Sequence, residues 1–276
     1  HPHSDYADKA LDKLDAMTDH STLSGYEAPA ATLYNLGIKH FKGGSLKKSG
    51  EYFRRLAKNY KKSTLYDDAC LMLGRIAIRQ GKLPLAEKYF HQTIGLKRDS
   101  RPEAMFYLAL TYAYQDSPRA AIVQLSNLAV SFPNSSVAPE ALFYSGQYYK
   151  NLGDLDNALI TWEKLVDSYP NSELLADSLW LIGNTYYKQS KYLEAYNNFN
   201  KAGNLSPEKA SDRLIFWTGK AAEKLDQRDN AIAAYKMTIS RYDHSYYAYR
   251  AREELGKFGI HLEAKTVPAV PDTVGK

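Results

Sequence analysis

The histidines, the cysteine and the acidic residues are the side chains that would carry catalysis or bind a metal. The seven histidines show no HExxH pair or comparable helical spacing; they are His1, His3, His20, His40, His91, His244 and His261. The single cysteine, Cys70, lies beside Leu71 in an apolar helical pattern, which favours a buried thiol over a nucleophile. Neighbouring acids such as Asp67 and Asp68 point to different sides of a helix. Phosphate-binding glycine loops and GxSxG are also missing, so we predict no catalytic site, no metal site and no cofactor.

A different chemistry is offered by aromatic and polar side chains that recur along the second half of the chain. Phe143, Trp180 and Phe216 are aromatic, and each is followed four residues later by a polar residue, namely Gln147, Asn184 and Lys220. Positions four apart share one face of a helix. Aromatic rings give a large contact area at low entropic cost, amides can pair with a peptide main chain, and a lysine attracts a carboxylate. These six residues are therefore predicted to line a partner-binding groove. In the alternative interpretation, the rings close the core between neighbouring helices.

These positions belong to a repeat with fixed internal spacing. A small residue recurs at steps of 35 to 37 residues, at Gly37, Gly74, Ala109, Gly146, Gly183 and Gly219. Seven residues after each comes a turn former: Gly44, Gly81, Asp116, Gly153, Ser190 and Asp226. Twelve after each comes a second small residue: Ser49, Ala86, Ala121, Ala158, Ala195 and Ala231. Sixteen after each comes a bulky apolar one: Phe53, Phe90, Leu125, Trp162, Phe199 and Tyr235.

The spacing is that of two helices joined by a short turn. Small residues on both helices allow a close crossing, and the turn former separates the helices. The bulky residue is expected to fill the groove towards the next unit. A single hairpin cannot bury its apolar face alone, so successive hairpins must stack. We predict an all-α fold, a right-handed α-solenoid of six helical hairpins with a concave inner surface.

This pattern resembles the tetratricopeptide repeat (TPR), over residues 30–257. It departs from the family in one respect, since the usual aromatic residue four positions before the small residue is aliphatic or soft. The positions concerned are Leu33, Cys70, Met105, Leu142, Leu179 and Ile215. An aromatic residue stands three positions before the small residue in five of the six units. This variant looks like the repeats of bacterial cell-envelope proteins. The resemblance implies a protein or peptide segment as the partner, bound in the concave groove.

Both ends of the chain depart from the repeat. Residues 1–29 are predicted to form an amphipathic helix at Asp5 to Met17 and a loop, and residues 258–276 a linker or disordered tail. Between the repeats and the tail, "HSYYAYRAREELG" is the first helix of a seventh unit without its partner. It is expected to cap the stack, with Arg250, Arg252, Glu253 and Glu254 facing water. The same stretch resembles the last helix before the catalytic domain of soluble lytic transglycosylases, through Ser245, Tyr246, Tyr247, Ala251, Glu253, Leu255 and Gly256.

Composition limits the class of function. The net charge of +5 is spread along 276 residues and does not favour nucleic-acid binding, and no apolar run is long enough for a transmembrane segment. We predict a non-catalytic TPR scaffold for protein–protein interaction in a bacterial envelope assembly, in the periplasm or at the outer membrane. A leader or lipid anchor would lie outside residues 1–276. Two alternatives stay open: the superhelical domain of a lytic transglycosylase whose catalytic domain lies beyond Lys276, and a cytosolic TPR adaptor. Neither the partner's identity nor the oligomeric state is predicted.

Overall fold

The computed structural model describes residues 28–205 and 211–262 and, before them, Ala10, Lys13 and Ala16. Thirteen helices and no strand occur in the described ranges: α1 Ala30–Lys42, α2 Leu46–Asn59, α3 Tyr66–Arg79, α4 Leu83–Leu96, α5 Arg101–Tyr114, α6 Pro118–Ser131, α7 Ala138–Asn151, α8 Leu155–Ser168, α9 Leu175–Lys188, α10 Tyr192–Leu205, α11 Asp212–Lys224, α12 Arg228–Arg241 and α13 Tyr246–Lys257. The predicted all-α solenoid of helical hairpins is confirmed. Of the helix predicted at Asp5 to Met17, only Ala10, Lys13 and Ala16 are described, and these three are helical; the tail from residue 263 lies outside what can be described.

The chain divides into two compact units, residues 1–148 and 149–276. In the first unit α1 packs on α2, α3 on α4, and α5 on α6. In the second unit α9 packs on α10 and α11 on α12, while α13 packs on both α11 and α12. The first helices of successive hairpins also touch, α3 with α5 and α9 with α11. Each unit is therefore a stack of antiparallel hairpins in chain order.

Four of the six hairpins in the described ranges are closed by contact between a glycine and an aromatic ring. A Cβ atom placed on Gly74 would lie 2.4 Å from Cε1 of Phe90, closer than real Cβ contacts come. The equivalent contacts join Gly37 to Phe53, Gly183 to Phe199 and Gly219 to Tyr235, at 2.4 to 2.7 Å. The bulky residue thus packs on the glycine of its own hairpin. It also contacts the next unit, as expected, because the ring of Phe90 stacks on Tyr107 of α5 at 5.9 Å and the ring of Phe199 lies 6.2 Å from that of Trp217 on α11.

The second small residue of the repeat lies at the same crossing. The hydroxyl of Ser49 donates a 2.8 Å hydrogen bond to the carbonyl oxygen of Gly37, twelve residues earlier. In the third hairpin the glycine is replaced by Ala109, and its partner is Leu125 instead of an aromatic residue. Both of these residues are fully buried. The added methyl group on one helix is thus matched by a smaller side chain on the other.

The turn formers all adopt the left-handed backbone conformation. Their φ angles lie between 56° and 81°, at Gly44, Gly81, Asp116, Gly153, Ser190 and Asp226. Glycine enters this region at no steric cost, and aspartate tolerates it better than most residues. The predicted turns are confirmed, and the positive φ explains why these residue types recur there.

The last helix ends in a way that differs from the other first helices. A Cβ on Gly256 would meet only Cε1 of His261, at 4.0 Å, so no ring covers this glycine. The chain reverses at Gly259, with φ of 76°, and the amide of Ile260 donates to the carbonyl oxygen of Leu255. Phe258 and Ile260 then pack on the core formed by α11, α12 and α13. The half-repeat is thus closed by the residues that follow it directly.

Gly74→Ala is expected to lower the free energy of unfolding by about 1 to 3 kcal/mol, because the new methyl group would displace the Phe90 ring. The better helix propensity of alanine, about 1 kcal/mol, offsets only part of this loss. The double variant Gly74→Ala/Phe90→Leu imitates Ala109 and Leu125 and should be more stable than Gly74→Ala alone. Denaturant unfolding measures both.

The matched control is Gly95→Ala on α4 of the same hairpin, where nothing lies within 4 Å of the added Cβ. This variant should be neutral or stabilised by up to about 1 kcal/mol. Equal stability of Gly74→Ala and Gly95→Ala would show that the contact does not limit the approach of the two helices.

Candidate partner-binding site

The predicted site residues divide between the two units. Trp180 and Asn184 lie one turn apart on α9, and Phe216 and Lys220 occupy the same positions on α11, which α9 contacts. We call the side of α9 and α11 that carries these four residues the first-helix face of the second unit. Phe143 and Gln147 lie on α7 within the first unit, and both are half-buried.

Phe216 belongs to the core. It is only 5% exposed, and its ring centroid lies 5.6 Å from that of Tyr235 and 5.4 Å from that of Tyr247. For this residue the alternative interpretation holds, in which the ring fills space between helices. Phe216 therefore offers little surface to a partner.

Trp180 is half-buried and is covered by an arginine. The guanidinium carbon of Arg213 stands 4.3 Å above the ring centroid, within the range of a cation–π contact, and Asp177 forms an ion pair with the same guanidinium. The indole nitrogen of Trp180 is buried and has no hydrogen-bond partner among the described residues. The ion pair of Asp177 and Arg213 lies at the wall of an open cleft of about 320 Å³. The other residues that line the cleft are Ala176, Ser211, Asp212 and Tyr247. The surface beside this cleft therefore combines the aromatic ring of Trp180 with the charged guanidinium group of Arg213.

Asn184 has unused hydrogen-bonding capacity. It is only 9% exposed, yet its side-chain amide makes no hydrogen bond to any described residue. The amide atoms themselves are not fully buried, so water reaches them in the free protein. Gln147, at the same repeat position in the first unit, is also without a side-chain hydrogen bond in the described ranges. A ligand that supplied a donor and an acceptor here would replace this water.

Lys220 is bound to carboxylates of its own chain. Its ammonium group lies 2.8 Å from Glu223 and 3.3 Å from Glu254, and Lys257 also binds Glu254, at 2.6 Å. Glu254 is 3% exposed, so the expectation that it faces water was wrong. It is buried because α13 packs on α11, and this packing places its carboxylate beside the ammonium group of Lys220. Burial alone would raise the pKa of Glu254, but the hydrogen bonds and charges of Lys257 and Lys220 outweigh it and lower that pKa.

Tyr235 and Glu223 also belong to this cluster and were not among the predicted site residues. The ring of Tyr235 is fully buried against Gly219, and burial followed by the charge of Glu223 raises the pKa of its hydroxyl. The sequence signal for Glu223 is its place three residues after Lys220, a spacing that allows an ion pair on a helix. The signal for Glu254 is weaker, because it lies on a different helix.

The described residues contain neither a metal-binding cluster nor a membrane-spanning helix. No group of three histidine, cysteine, aspartate or glutamate side chains is placed to hold a metal ion. Among the helices described, none combines the length and apolar character that a bilayer-spanning helix requires.

The fold and this site define a class: an all-α hairpin-repeat protein whose first helices carry polar and aromatic side chains. Family models described as tetratricopeptide repeat match residues 71–136 and, separately, residues 140–172 and 214–245. The chain is a TPR-like repeat protein.

Solved structures of low sequence identity share the fold. The C-terminal part of a TPR repeat-containing protein from Cytophaga hutchinsonii is 11% identical, with a TM-score of 0.65, over 91% of this chain and 98% of that one. PilF from Pseudomonas aeruginosa is 15% identical, with a TM-score of 0.55, over 82% and 97%. PilW, titled a type IV pilus biogenesis factor, is 14% identical, with a TM-score of 0.53, over 82% and 99%. No curated protein matches the sequence. The resemblance of α13 to lytic transglycosylases stays a prediction.

Glu254→Gln is expected to lower the free energy of unfolding by about 1 to 3 kcal/mol at neutral pH, because it removes a charged acceptor from Lys220 and Lys257. Since the pKa of Glu254 is lower in the folded state than its ordinary value of 4.5, its contribution is complete above that value and is lost as the pH falls through the folded pKa. The difference between wild type and variant, measured by denaturant unfolding across pH, should therefore narrow in acid.

Glu253→Gln is the control from the same helix. Its carboxylate pairs with Arg250 at 3.0 Å on the surface, so the change should be within about 0.5 kcal/mol. A difference between wild type and Glu254→Gln that stays constant from neutral to acid pH would contradict an ionised, stabilising Glu254.

Proposed function

We propose that this protein is a non-catalytic scaffold that binds an extended protein or peptide segment on the first-helix faces of its hairpins. The observation that carries the proposal is the side-chain amide of Asn184, which has no hydrogen-bond partner among the described residues although the residue as a whole is only 9% exposed. A primary amide has both a donor and an acceptor, so it can bond the carbonyl oxygen and the N–H of a peptide main chain. The binding of backbone groups suits a scaffold, because it recognises an extended segment through atoms that every peptide has.

The surroundings of Asn184 support binding of a peptide over a small polar ligand. Trp180 lies one turn before it, and Arg213 covers the ring, so aromatic area and a fixed cation stand beside the amide. Tryptophan and arginine are the residues most enriched where binding energy concentrates. Gln147 in the first unit offers a second unpaired amide at the same repeat position. Lys220 was predicted to attract a carboxylate of the partner. In this proposal it instead holds α13 in place through its ion pair with Glu254.

We further propose that the scaffold works in a bacterial envelope assembly, in the periplasm or at the outer membrane. The support is the repeat variant, with steps of 35 to 37 residues and the aromatic three positions before the small residue. PilW is by its title a pilus biogenesis factor, which is consistent with the proposal, although at 14% identity the likeness shows the fold alone.

Asn184→Ala is expected to weaken peptide binding by about 1 to 3 kcal/mol, since the main chain of the ligand would lose its amide partner. The ligands are peptides selected from a displayed random library on the wild-type protein, and fluorescence anisotropy gives the dissociation constants. Trp180→Ala should weaken binding by a similar amount. Because a lost buried aromatic side chain costs roughly 3 to 5 kcal/mol of stability, the melting temperature must be measured for each variant.

The matched control is Asn230→Ala on α12, whose exposed amide already donates to Gln227 at 2.9 Å. It should bind the selected peptides like wild type. If Asn184→Ala folds and binds no more weakly than Asn230→Ala, the first-helix face of the second unit is not the peptide site.

The envelope proposal predicts the location of the protein expressed from its own gene. After cell fractionation it should be found with the periplasm or the outer membrane, alongside a periplasmic marker enzyme and apart from a cytosolic one. Recovery with the cytosolic marker would favour the adaptor alternative and would exclude the envelope assembly.

A further inference from the structure

An arginine in the first unit is held between two aromatic rings without a counter-ion. The guanidinium carbon of Arg75, on α3, lies 4.8 Å from the ring centroid of Tyr107 and 5.2 Å from that of Phe41. Among the described residues its side chain donates a hydrogen bond only to the sulfur of Met72, which is a weak acceptor. Within the described residues no carboxylate lies within 4.0 Å of it. The charge is thus fixed in place and lacks a partner.

A second arginine shares this arrangement one turn further along α3. The guanidinium of Arg79 stands 4.0 Å above the ring of Phe41 and donates to the carbonyl oxygen of Phe41 at 3.4 Å. Arg79 is exposed, and like Arg75 it has no ion pair in the described part of the chain. Two guanidinium groups are therefore held on one aromatic platform, with the remaining N–H donors of both unused.

Two acidic residues of the first helices stand at the opposite end, whereas Glu87 of α4 accepts a hydrogen bond from Gln115, just after the C-terminal end of α5, at 3.4 Å. Asp68 and Glu103 lie in the first turns of α3 and α5, and α1 has no acidic residue between Ala30 and Lys42. Asp68 accepts a short hydrogen bond from the hydroxyl of Ser100. Burial, followed by the charges of Asp68 and Glu103, raises the pKa of Tyr34, while Arg75 lowers it, so these groups share one face. Asp68 and Glu103 would repel an anion at the N-terminal ends of α3 and α5, and Arg75 and Arg79 would attract it towards the C-terminal end of α3.

We propose that Arg75 and Arg79 bind two carboxylate side chains of an acidic, extended segment in the partner protein. Residues four apart on a helix stand about 6 Å apart. Side chains two apart in an extended peptide are separated by about 6.6 Å and point to the same side. Glutamate or aspartate at alternate positions therefore matches the two guanidinium groups, each of which can bind one carboxylate through two N–H donors. The aromatic stack reduces the entropy lost on binding because it already orients the guanidinium planes.

This site rests on the proposed function in that the partner is a peptide segment, but it uses residues of the first unit alone. The probe is a fluorescein-labelled octapeptide of alternating glutamate and alanine, acetylated and amidated so that no terminal charge contributes. Anisotropy should show binding that weakens as salt rises from about 0.05 to about 0.3 M. The same peptide with glutamine for glutamate should bind at least about tenfold more weakly, because no charged acceptor remains.

Arg75→Gln and Arg79→Gln should each weaken binding of the glutamate peptide by about tenfold or more, with melting temperatures recorded alongside. Because Arg79 is exposed, Arg79→Gln tests the site even if Arg75→Gln unfolds the protein. Arg119→Gln, an exposed arginine on α6, is the matched control and should bind like wild type. Glu103→Gln removes a repelling carboxylate and should bind as tightly as wild type or more tightly.

Four outcomes would overturn the proposal: no binding of the glutamate peptide, an equal loss with Arg119→Gln, equal binding of the glutamine peptide with a free C-terminal carboxylate, or displacement by a thymidylate octamer at equal affinity. Asn184→Ala separates this proposal from the scaffold proposal. If it weakens the library-selected peptides while Arg75→Gln and Arg79→Gln leave the glutamate peptide unaffected, the scaffold function stands and the acidic-segment site does not. If the arginine variants lose the glutamate peptide and Asn184→Ala changes nothing, the acidic-segment site stands and the first-helix face of the second unit is not a peptide site.

Discussion

The close approach of two helices at a glycine is the constraint on which the rest of this structure depends. At Gly74 the space that a Cβ would need is filled by the ring of Phe90, and the same contact recurs in three other hairpins of the described chain. An aromatic ring pressed on bare backbone buries a large apolar area at a short interhelical distance. Each of these four hairpins thereby has a core contact of its own, and only its remaining apolar face depends on stacking.

The same constraint explains why the candidate binding residues are held in place. Arg75, Asn184 and Lys220 each directly follow the glycine of their repeat. At this position the helix is pinned against its partner, so the next side chain emerges from a fixed point beside a packed crossing. The three then differ by what faces them: two rings at Arg75, a buried carboxylate at Lys220, and no hydrogen-bond partner in the described residues at Asn184. The residue that follows the glycine is thus a cation stacked on aromatic rings in one repeat and a member of an internal ion pair in another. In a third repeat it is an amide without a hydrogen-bond partner among the described residues.

The sequence predicts what depends on local spacing and misses what depends on packing between distant segments. The helices, the hairpins and the positions of the turns follow from periodicity and turn chemistry, and these are confirmed, as is the contact of Phe90 with the next unit. The contact of the Phe90 ring with Gly74 of its own hairpin was not predicted, because spacing alone does not give the direction of a side chain. Phe216 is core because Tyr235 and Tyr247 close over it, and Glu254 is buried because α13 packs on α11. Arg75 was not among the predicted site residues, because the rings beside it belong to other helices, Phe41 to α1 and Tyr107 to α5.

The terminal helix shows what replaces the ring contact when a hairpin has no second helix. Gly256 occupies the repeat's small-residue position, yet no ring covers it. The helix α13 is held by other means: Phe258 and Ile260 pack behind it, and the buried carboxylate of Glu254 binds Lys220 of the preceding hairpin. An ion pair specifies geometry more narrowly than apolar packing does, because a buried carboxylate displaced from its ammonium partners would be left unpaired at high cost. A single α-helix with a short apolar face therefore gains a defined register on the end of the stack, where packing alone would allow it to slide.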